Sequence, residues 1–157
     1  MMNSHTNSDQ VEVLSVQECW ECLRSTDIGC LAVVIDDGPD IFPINYAVEH
    51  SAIVFRSGEG TKVDAVMENP RVAFEVDGFD PETETAWSVV LRGKAAPIND
   101  TDELLDTVSL SVTPWQPGPK SRFIRIVAEV VTGRRFQVAE SQLWDSALST
   151  ASRAPRE

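Results

Sequence analysis

The stretch Phe55-Arg56-Ser57-Gly58-Glu59-Gly60-Thr61-Lys62 gathers a guanidinium, an ammonium and two hydroxyls around a glycine-bracketed turn. A strand delivers Arg56 and Ser57, and a helix starts at Thr61 and Lys62. Free N–H groups at a helix N-terminus point outward, and the helix dipole favours an anion there. Two cations and two hydroxyls at that spot make a phosphate clamp. The spacing also suits a capped surface helix with incidental cations, and it is not a Walker loop. On spacing alone the two readings balance.

Thirteen Lys and Arg stand against 25 Asp and Glu, a net charge of −12. Such a surface repels phosphate backbones at long range, so nucleic acid and anionic membranes are not expected partners. An anion must be held locally, by a few placed groups. Cys19-Trp20-Glu21-Cys22 has redox-motif spacing but falls mid-helix with no strand leading into it, so both thiols read as core residues. The three cysteines with His5 or His50 do not complete a zinc site, and two histidines leave no basis for a histidine triad. No metal is expected. An odd cysteine count and an N-terminus without a basic region or an apolar core point to the cytoplasm. The longest apolar run, Ile28 to Ile35, falls far short of the roughly 20 residues that span a bilayer.

The elements that must position the clamp are mostly strands. Ser15 and Glu18 have capping-box spacing and open a helix to about Thr26, which Gly29 ends. Ile28–Ile35, Ile41–Val48 and Ser51–Arg56 read as strands, with turns at Asp36–Pro39 and at Glu49-His50. Thr61 to Asn69 reads as a helix with Val63, Val66 and Met67 as its apolar stripe, stopped by Pro70. Val72, Phe74 and Val76 alternate with polar residues, Gly78 to Glu84 reads as a polar turn, and Trp87, Val89 and Leu91 carry a strand on to Ile98. Glu75, on the polar face, reads as a solvated carboxylate, with support of Arg56 or Lys62 the alternative. A helix over Asp100–Leu110, a rigid loop over Thr113–Pro119 and a last strand over Phe123–Phe136, broken near Gly133, complete the pattern. Residues 1–12 and 139–157 read as flanking segments of one domain over 13–138. Six strands with short helices between them suggest a mainly β fold, a six-stranded antiparallel split β-barrel with short flanking helices.

Leu31-Ala-Val33, Phe42-Pro-Ile-Asn-Tyr46, Val54-Phe-Arg-Ser57 with Gly60-Thr-Lys62, Val72-Ala-Phe-Glu-Val-Asp77, Trp87-Ser-Val89, Arg92-Gly93, Pro114-Trp-Gln-Pro-Gly118 and Val131-Thr-Gly-Arg-Arg135 follow one another in a telling order. Together they resemble the pyridoxamine 5′-phosphate oxidase-like superfamily of flavin-binding split barrels, in its small actinobacterial members. The resemblance implies a homodimer with FMN in a groove between subunits and a small molecule as substrate. It implies that Arg56, Ser57, Thr61 and Lys62 hold the 5′-phosphate. Backbone groups of Pro43, Ile44, Asn45 and Tyr46 would line the isoalloxazine edge, and Trp87 and Ser88 its pyrimidine side. The chain lacks the basic, histidine-containing end of the vitamin oxidases, and Arg56 stands where nitroimidazole-resistance relatives carry histidine, so neither activity is implied. A deazaflavin reductase, a non-enzymatic flavin carrier or sensor, and a barrel that has lost its cofactor are the alternatives. No catalytic acid or base is assigned.

Overall fold

The computed structural model describes residues 11–36, 38–58, 61–98 and 122–138, and only the backbone of residues 61–63. The elements run β1 (Val11–Val13), α1 (Val16–Arg24), β2 (Ile28–Ile35), β3 (Gly38–Asn45), β4 (Ala47–Glu49), β5 (Ala52–Ser57), α2 (Thr61–Glu68), β6 (Arg71–Asp80), β7 (Thr85–Pro97) and β8 (Arg122–Gln137). All strand pairs are antiparallel, in the order β3-β2-β6-β7-β8-β5-β4 with β1 added to β8. The sheet curls around one core and its two ends meet where β3 touches β5, a split barrel with two short helices. The expected helix over Asp100–Leu110, the loop over Thr113–Pro119 and the flanking segments up to residue 10 and from residue 139 lie outside the described residues.

Local chemistry accounts for these elements. Ser15 caps α1 by accepting the Glu18 N–H at 3.1 Å, while its own hydroxyl donates to the Glu18 carboxylate at 3.1 Å. The helix buries Cys19, Trp20 and Leu23, so the Cys19-Trp-Glu-Cys22 run does pack as core. It ends at Ser25, not at Gly29; Gly29 lies inside β2, where a Cβ would come within 2.3 Å of the Phe74 ring. Its missing side chain therefore admits that ring. Phe74 stacks edge-on with Tyr46 at 4.8 Å between ring centroids.

Several expectations need correction. The stretch Ile41–Val48 is not one strand. The chain breaks at Tyr46, whose N–H donates to the Asp27 carbonyl, so β3 pairs with β2 while β4 crosses to pair with β5. A single buried residue thus sends the chain from one end of the sheet to the other. Gly78-Phe79-Asp80 is strand rather than turn, because Gly78 leaves room for the Trp87 indole. Gly133 does not break β8; a Cβ there would stand 2.7 Å from Cys19 Sγ, so the gap seats α1 against the sheet. Val11 and Glu12, read as part of the flank, pair with Phe136 and Arg135 in β1. With β1 and β4 the sheet has eight strands, not six. On α2, Ala65 and Val66 are buried while Met67 is 64% exposed, so Met67 is not part of the apolar stripe.

Candidate functional site

Strand register decides what comes together. Along β3, Ile44 and Tyr46 are buried and Phe42 packs on the core, so Pro43 and Asn45 face outward. Along β5, Ile53 and Phe55 join the core and Ser57 lies on their face, 4% exposed; Val54 and Arg56 face the other way. The β4–β5 ladder pairs Ala47 with Val54. Asn45 and Arg56 both face away from the core, where β3 touches β5. Ser57 is followed at once by Gly58, and α2 starts at Thr61. Asn45 and Arg56 thus share the outer side of this junction, while Ser57 turns to the core side, and the backbone of Thr61 and Lys62 is helical as expected.

The groups at this corner are poised in distinct ways. The Arg56 guanidinium lies 5.3 Å from the Phe123 ring centroid, a cation–π contact that orients it. The Ser57 hydroxyl donates to the Gly58 carbonyl at 3.2 Å, tying the strand end to the turn. Asn45 Oδ1 is buried and accepts no hydrogen bond from any described residue. A buried acceptor left in that state costs about 1–3 kcal/mol, so the position suits a bound donor. β3 is an edge strand, and its far-side backbone groups have no strand partner among the described residues. A ring with an N–H and carbonyl oxygens finds complementary groups here.

The remaining candidates are placed differently. Pro43 lies outward on β3, opposite Cys30. Ile44 and Tyr46 turn their side chains into the core, and the Tyr46 hydroxyl donates to the Leu23 carbonyl, so only their backbone faces the edge. Burial pushes the Tyr46 phenol up to about 12. Trp87 and Ser88 are successive and point to opposite sides of the sheet. Trp87 packs over Gly78 against the core, while Ser88 faces outward beside Asp77 and Arg134. Ser88 shares a row with Ile28 and Asn45 if the β2–β6 pairing is run on by two residues, three strands and about 14 Å from Asn45.

Glu75 is the residue whose role the sequence did not disclose. It stands opposite Cys30 on β2 and Val90 on β7, and burial with the Asp77 hydrogen bond and charge pushes its carboxyl up to about 7. Asp77 is the carboxylate beside it. Arg125 on the outer face is ion-paired with Glu49 at 3.1 Å. Burial raises the Cys19, Cys22 and Cys30 thiols, which makes them poor nucleophiles. Among the described residues no cluster of His, Cys, Asp and Glu suits a metal ion, and no helix is long and apolar enough to cross a membrane.

A family model described as pyridoxamine 5′-phosphate oxidase matches residues 15–135. A solved chain from Corynebacterium glutamicum, provisionally named as a pyridoxamine 5′-phosphate oxidase, is 38% identical with a TM-score of 0.74, covering 82% of this chain and 100% of that one. A Mycobacterium smegmatis structure described as an FAD binding protein is 36% identical with a TM-score of 0.69, covering 80% and 98%. An uncharacterised protein of Mycobacterium tuberculosis is 29% identical over 88% of this chain and 93% of its own length.

Proposed function

Because the chain belongs to the pyridoxamine 5′-phosphate oxidase family, we propose that it binds a flavin nucleotide and acts as a flavin-dependent oxidoreductase on a small molecule. The observation that carries this reading is the junction of β3 and β5, where Asn45 and Arg56 face outward and α2 begins four residues after Ser57. Arg56 and Lys62, with the Ser57 and Thr61 hydroxyls and the N–H groups of α2, hold the phosphate. Asn45 and the open edge of β3 receive the polar rim of the ring. The bound flavin supplies the hydride chemistry, and the protein supplies anchoring and orientation. FMN carries the phosphate this clamp needs; the similarity to an FAD binding protein makes FAD the form to test beside it.

The reading includes a homodimer with the flavin at the subunit interface. Its support is the uncovered outer face of the sheet, where Ile28, Val34, Val127 and Val130 are 40–55% exposed. An apolar sheet face of this kind marks an interaction surface. Ser88, about three strands from Asn45, then contributes from this face. Flavin titration of the wild-type chain and of Arg56→Ala and Lys62→Ala, with sedimentation velocity, tests the reading. Tight binding that each substitution weakens tenfold or more, on a dimer, supports it; binding indifferent to both sinks the clamp. Turnover of NADH or NADPH above the free-flavin rate separates the oxidoreductase from a flavin carrier.

A further inference from the structure

The outer face carries a second concave feature, remote from the clamp. A groove of about 270 Å³ opens between the β2–β3 hairpin end, the start of β6 and the middle of β7. Ala32 and Ala73 are paired across β2 and β6 and form its small-residue floor; Val34 and Pro39, paired across the hairpin, form one wall. Arg71 and Arg92 stand at the opposite side. Val34 lies six residues along β2 from Ile28, the residue opposite Asn45, or about 20 Å at strand spacing. The groove is thus apart from the clamp, though its Val34 wall belongs to the face offered above as the subunit contact.

Its charge pattern runs against that of the molecule. The chain carries −12, yet two exposed guanidiniums flank this groove and neither makes an ion pair with a described residue. Register explains their proximity. Ala73 pairs with Arg92 and Arg71 with Lys94, so all three cations lie on one side of β6 and β7. Glu129, the acidic residue of the lining, is drawn toward Lys94 at 3.9 Å. The carboxylate of the lining thus has Lys94 as its neighbour, and Arg71 and Arg92 form no ion pair among the described residues.

We propose that this groove binds a small amphipathic anion: an apolar body seated on Ala32, Ala73 and Val34, with one carboxylate, sulfonate or phosphate held by Arg71 and Arg92. Guanidiniums bind such oxyanions by paired, charge-assisted hydrogen bonds, and the apolar floor supplies the desolvated surface for the body. The experiment is a titration of the full chain with 1-naphthalenesulfonate and with the neutral 1-naphthalenemethanol, followed by amide chemical shifts and sedimentation velocity. The expected result is saturable binding at one sulfonate per chain, with shifts at Ala32, Ala73 and Gly93. The neutral analogue should bind at least tenfold more weakly, and Arg71→Gln and Arg92→Gln should each weaken the sulfonate about tenfold. Four outcomes overturn the proposal: equal affinity for the neutral analogue, indifference to both substitutions in folded protein, shifts spread over the whole outer face, or binding that proceeds only as a dimer dissociates. The last would make the groove part of a contact between copies.

Discussion

Replacing Gly93 by alanine tests the strand geometry on which every site assignment rests. Gly93 sits where the β7–β8 register slips, since Arg92 pairs with Val130 and Gly93 with Ala128, leaving Glu129 without a pair. A Cβ there would stand 2.0 Å from the Val127 carbonyl oxygen and 2.9 Å from its carbon. An ordinary carbon–oxygen contact is about 3.3 Å, so β7 and β8 must part by about 1.3 Å. The obstacle is backbone, and β7 is pinned on its other side by Val72 opposite Gly93 and Arg71 opposite Lys94. Parting by that much breaks about two ladder hydrogen bonds at about 1 kcal/mol each. It also strains the packing of Leu91 against its buried neighbours, at about 1–3 kcal/mol. The sum, about 3–5 kcal/mol, is a large fraction of the roughly 5–15 kcal/mol that holds a domain together. Urea unfolding followed by tryptophan fluorescence should show the midpoint falling by at least about 1 M. Gly38→Ala is the control. No atom lies within 4 Å of the new methyl group, so its stability should stay level or rise by about 0.4–1 kcal/mol. A Gly93→Ala chain as stable as Gly38→Ala would refute the β7–β8 spacing described here.

Other consequences follow from single groups. The Glu75 carboxyl is pushed from 4.5 up to about 7 in the folded chain, so the folded state holds the extra proton between those values and stability falls as pH rises through that window. At about 1.4 kcal/mol per pH unit the ceiling is about 3.4 kcal/mol; for a half-buried group about 1–2 kcal/mol is expected. Glu75→Gln should flatten the decline in melting temperature between pH 5 and pH 8, and an unchanged slope would remove Glu75 as its source. Tyr46→Phe keeps the edge-on contact with Phe74 but strands the Leu23 carbonyl, and should cost about 1–2 kcal/mol by chemical denaturation without changing the circular dichroism spectrum. Glu49→Gln removes the negative charge 3.1 Å from the part-buried Arg125; a loss of about 1–2 kcal/mol that persists in 1 M NaCl is expected, and a loss abolished by salt would mark the pair as a surface one.

Much of the barrel is legible in the sequence because period-two alternation and tight turns are local signals. Val72, Phe74 and Val76 alternate with Ala73, Glu75 and Asp77, and the structure buries the first set. The bounds of β2 agree to the residue, and both capping residues and apolar alternation mark where α1 begins and β6 runs. What is not legible is non-local. The break at Tyr46 depends on Asp27, far away in sequence, and the seats for Gly29, Gly78 and Gly133 depend on Phe74, Trp87 and Cys19. The clamp is visible because Arg56, Ser57, Thr61 and Lys62 are close in sequence, whereas Asn45 nears Arg56 only where β3 touches β5. The opposite facing of Trp87 and Ser88 follows from the alternation of Trp87, Val89 and Leu91 with Ser88, Val90 and Arg92, legible in the sequence. The pairing of Arg71 and Arg92 across β6 and β7 could not, since it needs the register.

The claim that this chain holds a flavin by its phosphate is tested most directly by equilibrium dialysis of the purified full chain against FMN, FAD and riboflavin, with absorbance spectra of each retained complex. The account predicts retention of FMN or FAD at about one per chain, with a perturbed flavin spectrum, and riboflavin bound far more weakly because it lacks the phosphate. Retention of none of the three, or of riboflavin as tightly as FMN, would contradict it.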